Sequence, residues 1–251
     1  MTNSWALTLK NLVVPIFCRE CGRRLLTEEN PCFCPGCWER SPRVERPFCT
    51  ICGEPQAGRE GFGALQNFPC ERCRAREPRR FRRLYAAALY QGAIAEGIRQ
   101  LKFYEKRSLL PAFGELLGDF VVRELEPESY TLLVPVPLYP VRRRERGFNQ
   151  SELLANEVAA QFPHATVADV LRRVRPTHVQ SRLGSPEARR ANVSGAFSIG
   201  EANSVKDQTI LLVDDVVTSG STVEECCRVL SEAGAGDVDV LAVAIPVNVP
   251  A

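Results

Sequence analysis

The stretch Thr209–Val223, TILLVDDVVTSGSTV, decides the fold. Ile210 to Val213 are four apolar residues in succession, the pattern of a strand buried on both faces of a parallel sheet. Two carboxylates, Asp214 and Asp215, emerge at its carboxyl end, where open α/β sheets bind ligands. The run Thr218-Ser219-Gly220-Ser221-Thr222 then opens a helix, whose N-terminus presents free N–H groups and a partial positive charge. Small hydroxyl side chains around one glycine make that N-terminus a cradle for a phosphate monoester, and Gly220 permits close backbone approach. A phosphate in the loop and sugar hydroxyls facing the two acids describe a ribose 5-phosphate. An ordinary strand–turn–helix with an acidic edge and a Ser/Thr N-cap is the alternative reading of the same residues.

Working outward, Ser219–Ala233 reads as the helix after this loop and Val238–Ile245 as a last buried strand. Upstream, Leu84–Tyr90 is a strand ended by Gly92. Ala93–Tyr104 is a helix with Ile94, Ile98 and Leu101 at i, i+4, i+7 and Arg99, Lys102 and Lys106 opposite. A second helix carries Leu109, Phe113, Leu116, Leu117 and Phe120 on one face. Leu132–Val136 is a strand, and Ser151–Phe162 a helix with Leu154, Val158 and Phe162 inward. Residues 172–195, polar and arginine-rich without a clear period, predict a long mobile loop. Strands alternating with helices indicate an α/β fold, a parallel sheet with helices on both faces. A Walker phosphate loop is excluded because no Gly-Lys-Ser/Thr is present, and Gly234-Ala235-Gly236 follows a helix rather than a strand.

Val134–Leu154, VPVPLYPVRRRERGFNQSELL, is the second informative stretch. A buried strand ends at Pro135 and Pro137, either of which could follow a cis bond. The arginines Arg142, Arg143, Arg144 and Arg146 come next, then Gly147-Phe148-Asn149-Gln150 leading into a helix. Alone it reads as a basic solvated turn. One strand and helix away from an acidic phosphate loop, it reads as a source of donors and positive charge for pyrophosphate.

Cysteine and charge are concentrated toward the N-terminus. Of 11 cysteines, eight form Cys-x-x-Cys pairs: Cys18/Cys21, Cys34/Cys37, Cys49/Cys52 and Cys70/Cys73. A two-residue spacer aims both sulfurs at one tetrahedral Zn²⁺. Pairing by adjacency gives Cys18, Cys21, Cys34 and Cys37 as one site and Cys49, Cys52, Cys70 and Cys73 as the other. Interleaved pairing is the alternative, and Cys32 is a spare or an alternative to Cys34. Gly22, Gly36 and Gly53 lie at or beside knuckles that call for a left-handed backbone. Residues 18–78 show no sustained period, so metal is expected to hold them. Residues 1–83 carry 15 basic and 9 acidic side chains, net +6, and the remainder is net −4. Arg79–Arg83, RRFRR, reads as a solvated linker or the start of a basic surface.

The other features bound the answer more loosely. A chain of 251 residues, 45% apolar and 25% charged, has the proportions of a folded globular protein, which excludes general disorder and a collagen-like chain. No apolar run approaches the ~18 residues of a membrane helix. Residues 1–17 read as a short amphipathic lead-in without a basic start or a cleavage site, so a cytoplasmic location is expected. Arginine makes up 28 of the 32 basic residues, which suits phosphate binding and equally suits a biased genome. Of the two histidines, His164 reads as a surface residue, and His178 is the better base candidate within the proposed loop. Cys226 and Cys227 fall with Val223 and Leu230 on one helical face and read as core.

Thr209–Val223 resembles the phosphoribosyl-pyrophosphate signature of type I phosphoribosyltransferases. With Pro-Val-Pro, Arg-Gly-Phe-Asn-Gln and the four cysteine pairs, the chain resembles the ComF family, competence-associated proteins with a double zinc ribbon ahead of a phosphoribosyltransferase-like domain. The resemblance implies a double zinc ribbon at 1–80 with two structural zinc ions, and a type I phosphoribosyltransferase-like domain at 81–251. It implies Asp214 and Asp215 on the ribose hydroxyls and helping to orient Mg²⁺. Val216, Val217, Thr218, Ser219, Gly220, Ser221 and Thr222 then bind the 5-phosphate of phosphoribosyl pyrophosphate. Arg142, Arg143, Arg144, Arg146 and Lys102 are pyrophosphate candidates. Thr177, Gln180, Leu183, Arg189 and Asn192 fall on the family's flexible-loop pattern. Ser219 and Ser221 depart from the more usual Thr and Ala, and Cys32 adds a thiol. The implied reaction is displacement of pyrophosphate from C1 by an unknown acceptor, linked to DNA uptake and natural transformation. The alternative is a non-catalytic protein that binds single-stranded DNA, or competence-machinery proteins, through the ribbons and arginine clusters, without membrane insertion.

Overall fold

The computed structural model describes residues 15–25, 30–56, 66–75, 78–177, 185–200 and 204–246. Most of the proposed lead-in and His178, Gln180 and Leu183 lie outside the described residues. Five strands form one parallel sheet: β1 (Leu84–Leu89), β2 (Leu132–Pro135), β3 (Thr166–Val167), β6 (Ile210–Val216) and β7 (Val238–Ile245), in the order β1-β7-β6-β2-β3. Successive residues of β6 and β7 are buried without alternation, as a strand covered on both faces requires.

The helices are α3 (Gly92–Tyr104) and α4 (Leu110–Glu124) between β1 and β2, α6 (Gln150–Val158) between β2 and β3, and α8 (Ser221–Glu232) between β6 and β7. The β2-to-β3 and β6-to-β7 connections travel in opposite directions along the sheet, so right-handed crossovers put α6 and α8 on opposite faces. Accordingly, α4 packs with α6 against the sheet. On the other face α8 meets α7 (Pro186–Val193) and β5 (Phe197–Ile199). β5 pairs antiparallel with β4 (Leu171–Arg173). Where it is described, at 172–177 and 185–195, the segment expected as a long mobile loop therefore carries a strand end and a helix. Ser185 caps α7 by accepting from the Ala188 amide at 3.1 Å, and Pro186 sits at its first position.

Two short helices, α1 (Pro35–Glu39) and α2 (Glu71–Arg74), sit in the cysteine-rich segment, and α5 (Pro140–Arg146) holds the arginine cluster. Gly22 and Gly53 are left-handed, with φ of +71° and +72°, as the knuckles require. Gly36 is not; it lies within α1. The segment is held by packing as well as by cysteine. Phe33 stacks on Trp38, Trp38 meets Phe113 edge-on, and Phe48 packs against Phe120. Gly97 leaves room for these rings, since a Cβ there would lie 3.0 Å from Phe113 and 3.3 Å from Phe33. Backbone bonds from Val44 to Ala87 and from Leu89 to Pro42 lay residues 42–44 along β1.

Arg79–Arg83 is solvated only in part, with Arg80, Arg82 and Arg83 exposed. Phe81 is buried, Arg79 pairs with Glu224, and Arg82 grips Asp239 with Nε at 3.1 Å and Nη2 at 2.6 Å. Asp239 lies fully buried in β7, where the Tyr130 hydroxyl donates to it at 2.7 Å. The cis bond among the described residues is Arg46–Pro47, not one before Pro135 or Pro137. His164 is exposed, and Cys226 and Cys227 are fully buried core residues. No described helix is long and apolar enough to cross a membrane.

Candidate functional site

β6 continues to Val216 because its backbone stays paired with β7 through Val216 and Ala244, so Asp214 and Asp215 are the two residues before the strand's last. Alternation along the strand sends the two side chains to opposite faces. Asp214 Oδ1 accepts from the Ser151 hydroxyl at 3.1 Å and the Asp215 amide at 2.9 Å. Burial, reinforced by the Asp215 charge and opposed by Lys102, pushes the Asp214 carboxyl up to about 7. Asp215 Oδ1 pairs with Lys102 Nζ at 2.8 Å, whereas its buried Oδ2 has no hydrogen-bond partner among the described residues. A buried oxygen of this kind is costly unless a ligand or ion satisfies it.

The Arg-Gly-Phe-Asn-Gln motif places Ser151. Asn149 caps α6 by accepting from the Ser151 amide at 3.2 Å and donates to the Val136 carbonyl at 3.1 Å. The cap thus ties the helix to the loop after β2 and aims the hydroxyl at Asp214. Ser151 was not a sequence candidate; its position two residues after a strong N-cap residue was the available signal.

After Val216 the chain turns through Val217–Gly220 into α8. Gly220 has φ +81°, a left-handed conformation that disfavours other residues. Ser219 and Ser221 share a hydroxyl hydrogen bond of 3.0 Å. A cleft of about 170 Å³ joins Asp214, Val216, Val217, Thr218, Gly220 and Thr222. Acid and helix N-terminus therefore open onto one space. Ser221 is buried at the start of α8, beside this space rather than on its wall.

The arginines divide. α5 ends at Gly147, φ +74°, which reverses the chain after Arg146. Arg146 is half-buried with its guanidinium over Phe103 and donates to Gln150; burial lowers its proton affinity and the Asp215 charge restores part of it. Lys102 and Arg146 thus both lie on the Asp215 side. Arg142 pairs locally with Glu145 on the surface. Arg143 pairs with Glu152 at 2.8 Å and Asp169 at 3.4 Å. Arg143 and Arg144 face a different cleft, of about 830 Å³, shared with Arg172 and Arg173. Arg173, also absent from the sequence candidates, is largely buried over Phe197, donates to Thr177 and has an Nε without a partner among the described residues. Arg189 and Asn192 lie on α7. Arg189 reaches a third cleft, about 570 Å³, walled by Thr218–Ser221, Cys52 and Cys73, and the Asn192 carbonyl accepts from Arg175.

The cysteines group as adjacency predicts: Cys18, Cys21, Cys34 and Cys37, and Cys49, Cys52, Cys70 and Cys73, the sulfurs of each group within 4.8 Å of one another. Cys32 belongs to neither; burial pushes its thiol up. The Cys21–Cys34 and Cys52–Cys70 sulfurs are each 3.8 Å apart. A tetrahedron with Zn–S bonds of ~2.3 Å has edges of about 3.8 Å, so the spacing fits zinc. The Cys52 side chain, opposed by burial and helped by the Cys70, Cys52 and Ile51 amides, holds the Cys49 thiol down, while the same contact and burial push the Cys52 thiol up, so Cys49 is the thiolate of the pair. Thiolate is the ligand form.

Residues 149–248 match the phosphoribosyl transferase domain family. Over 232 residues the chain is 33% identical to DNA utilization protein YhgH of Salmonella typhimurium, covering 91% of this chain and 96% of that one. It is 28% identical over 233 residues to Competence protein F of Haemophilus influenzae, covering 89% and 94%. With Competence protein ComFC of Bacillus subtilis it shares 26% over 203 residues, covering 80% and 78%.

Proposed function

This chain belongs to the ComF family, and from that premise we propose that it binds phosphoribosyl pyrophosphate and transfers its phosphoribosyl group. The observation that carries the reading is the buried Asp215 Oδ2, without a partner among the described residues, next to Asp214, which opens with the helix N-terminus onto one cleft. In this reading residues 1–80 are a double zinc ribbon and 81–251 the transferase-like domain. The 5-phosphate takes the N–H groups and hydroxyls of Val216–Thr222. Asp214 and Asp215 accept from the ribose hydroxyls, Ser151 holding Asp214 in place. Lys102 and Arg146 stabilise negative charge on the departing pyrophosphate. The C1–O bond to pyrophosphate breaks with its electron pair, a bond from the acceptor to C1 forms, and the acceptor's proton passes to solvent. Asp215, whose buried Oδ2 has no partner among the described residues, would hold Mg²⁺ together with substrate phosphates, and the ion would supply charge neutralisation there. The two four-cysteine groups hold zinc structurally, and the relatives named for competence and DNA utilization support a role in DNA uptake.

Calorimetry with phosphoribosyl pyrophosphate and Mg²⁺ tests the pocket. Binding in the wild type, abolished by Asp214→Asn with Asp215→Asn, is expected. No heat in the wild type, or no difference for the double variant, overturns the reading.

A second reading, single-stranded DNA binding, is favoured by Phe103 and Tyr104, 69% and 64% exposed beside Lys102 and Arg146. Exposed aromatics next to cations are what base stacking and backbone neutralisation use. Affinity that falls steeply with salt supports it, and a flat salt dependence removes it.

A further inference from the structure

The phosphate loop contains an electrostatic contradiction. Glu224 lies in the first turn of α8, next to the N–H groups proposed to receive a phosphate. A carboxylate there suits the helix dipole but repels an incoming dianion. The chain answers it from outside the sheet. Arg79 Nη1 donates to Glu224 Oε1 at 2.8 Å, and the Arg80 amide donates to Oε2 at 3.0 Å, so both oxygens are turned to the linker that follows the second cysteine group. Both side chains of the ion pair are more than three-quarters buried, which removes much of the solvent screening that weakens surface pairs. The Arg79 guanidinium rests over the buried Phe81 ring at 5.8 Å. It also lies against the loop itself: a Cβ on Gly220 would be 3.3 Å from Nη1.

The linker's position depends in turn on the second cysteine group. The Leu84 amide donates to the Ile51 carbonyl at 3.1 Å, and Gly53 packs so closely that a Cβ would lie 2.9 Å from the Leu84 carbonyl oxygen. Cys52, Cys73 and Arg79 share a cleft with Val217–Ser221.

Resting on the phosphate-loop reading above, we infer that Arg79 is a positioning residue of the phosphate site: it neutralises and turns away Glu224, and through it the second ribbon sets the loop's affinity for phosphate. The role is electrostatic compensation rather than direct ligation, so its loss is repaired by removing the carboxylate it compensates.

Calorimetric titration with ribose 5-phosphate tests this in the full-length zinc-loaded protein. Arg79→Ala is expected to weaken binding roughly tenfold, as an unpaired, partly buried carboxylate beside the anion implies. Arg79→Lys should keep most of the affinity. Arg79→Ala with Glu224→Gln should return to within about threefold of wild type, because both the charge and its compensator are gone. Glu224→Gln alone, which leaves the linker in place, should bind as tightly as wild type or more tightly. Unchanged affinity in Arg79→Ala, a double variant as weak as Arg79→Ala, or weakened binding in Glu224→Gln overturns the inference while leaving the phosphate site standing. A wild type that does not bind ribose 5-phosphate overturns the site itself, and the inference with it.

Discussion

The sheet is held by buried hydrocarbon, whereas the cysteine-rich segment adds two clusters of sulfur to the hydrocarbon it buries. β6 and β7 run through the interior as unbroken apolar strands, and their neighbours contribute to the same core. Residues 15–25, 30–56 and 66–75 place two four-cysteine groups where the sheet has strands, with Phe33, Trp38 and Phe48 docking them on α3 and α4. The difference is one of distribution. Stability spread over many side chains survives the loss of one, while stability concentrated in four ligands around an ion does not.

Removing metal tests that contrast most severely. Structural zinc contributes on the order of 10 kcal/mol to folding of an isolated finger. Cys49→Ser should reduce bound zinc from two per chain to one. Its residual melting transition should still be that of the sheet; collapse of the whole molecule would show that the two regions are one folding unit. Leu212→Ala reverses the experiment. Leu212 is fully buried in β6, so the truncation should cost about 2–5 kcal/mol in denaturant unfolding while zinc content stays unchanged. Gly220→Ala acts where the regions meet. A left-handed alanine costs about 1–2 kcal/mol, and its Cβ presses on Arg79. Phosphate affinity should therefore fall more than the melting temperature does.

The smallest effect is set by acid. Arg228, opposed by burial and helped by the Gly195 amide, holds the Glu225 carboxyl below its ordinary value. A depressed carboxyl stabilises above its unfolded value, and that stability disappears as pH falls through the folded one. Hydrogen-exchange protection of the Gly195 amide, which donates to Glu225 at 2.7 Å, should therefore persist through the ordinary carboxylate range and be lost only as pH falls below it. In Glu225→Gln that pH dependence should vanish.

Local pattern made much of this readable. The Cys-x-x-Cys spacing, the apolar run of β7 and the acid pair followed by a hydroxyl loop each carry their signal within a few residues. What escaped depends on partners distant in sequence. Arg79 and Arg82 looked solvated because Glu224, Asp237 and Asp239, which they meet, lie some 150 residues away. α5 has four arginines in place of an apolar stripe, so it read as a turn although Pro140 and Gly147 mark its ends. The arginine cluster could not show, from sequence, that Arg146 would face Asp215 while Arg143 and Arg144 open elsewhere.

Residues 42–44, lying along β1, have a practical consequence. That flank of the sheet is already occupied by the molecule's own chain, and the opposite flank, β3, is two residues long. Neither offers a stranger's strand a long row of open amides and carbonyls. A fragment trimmed to residues 81–251 would uncover the backbone of Leu84–Leu89 and become prone to self-association, so the N-terminal segment also serves as a guard against aggregation.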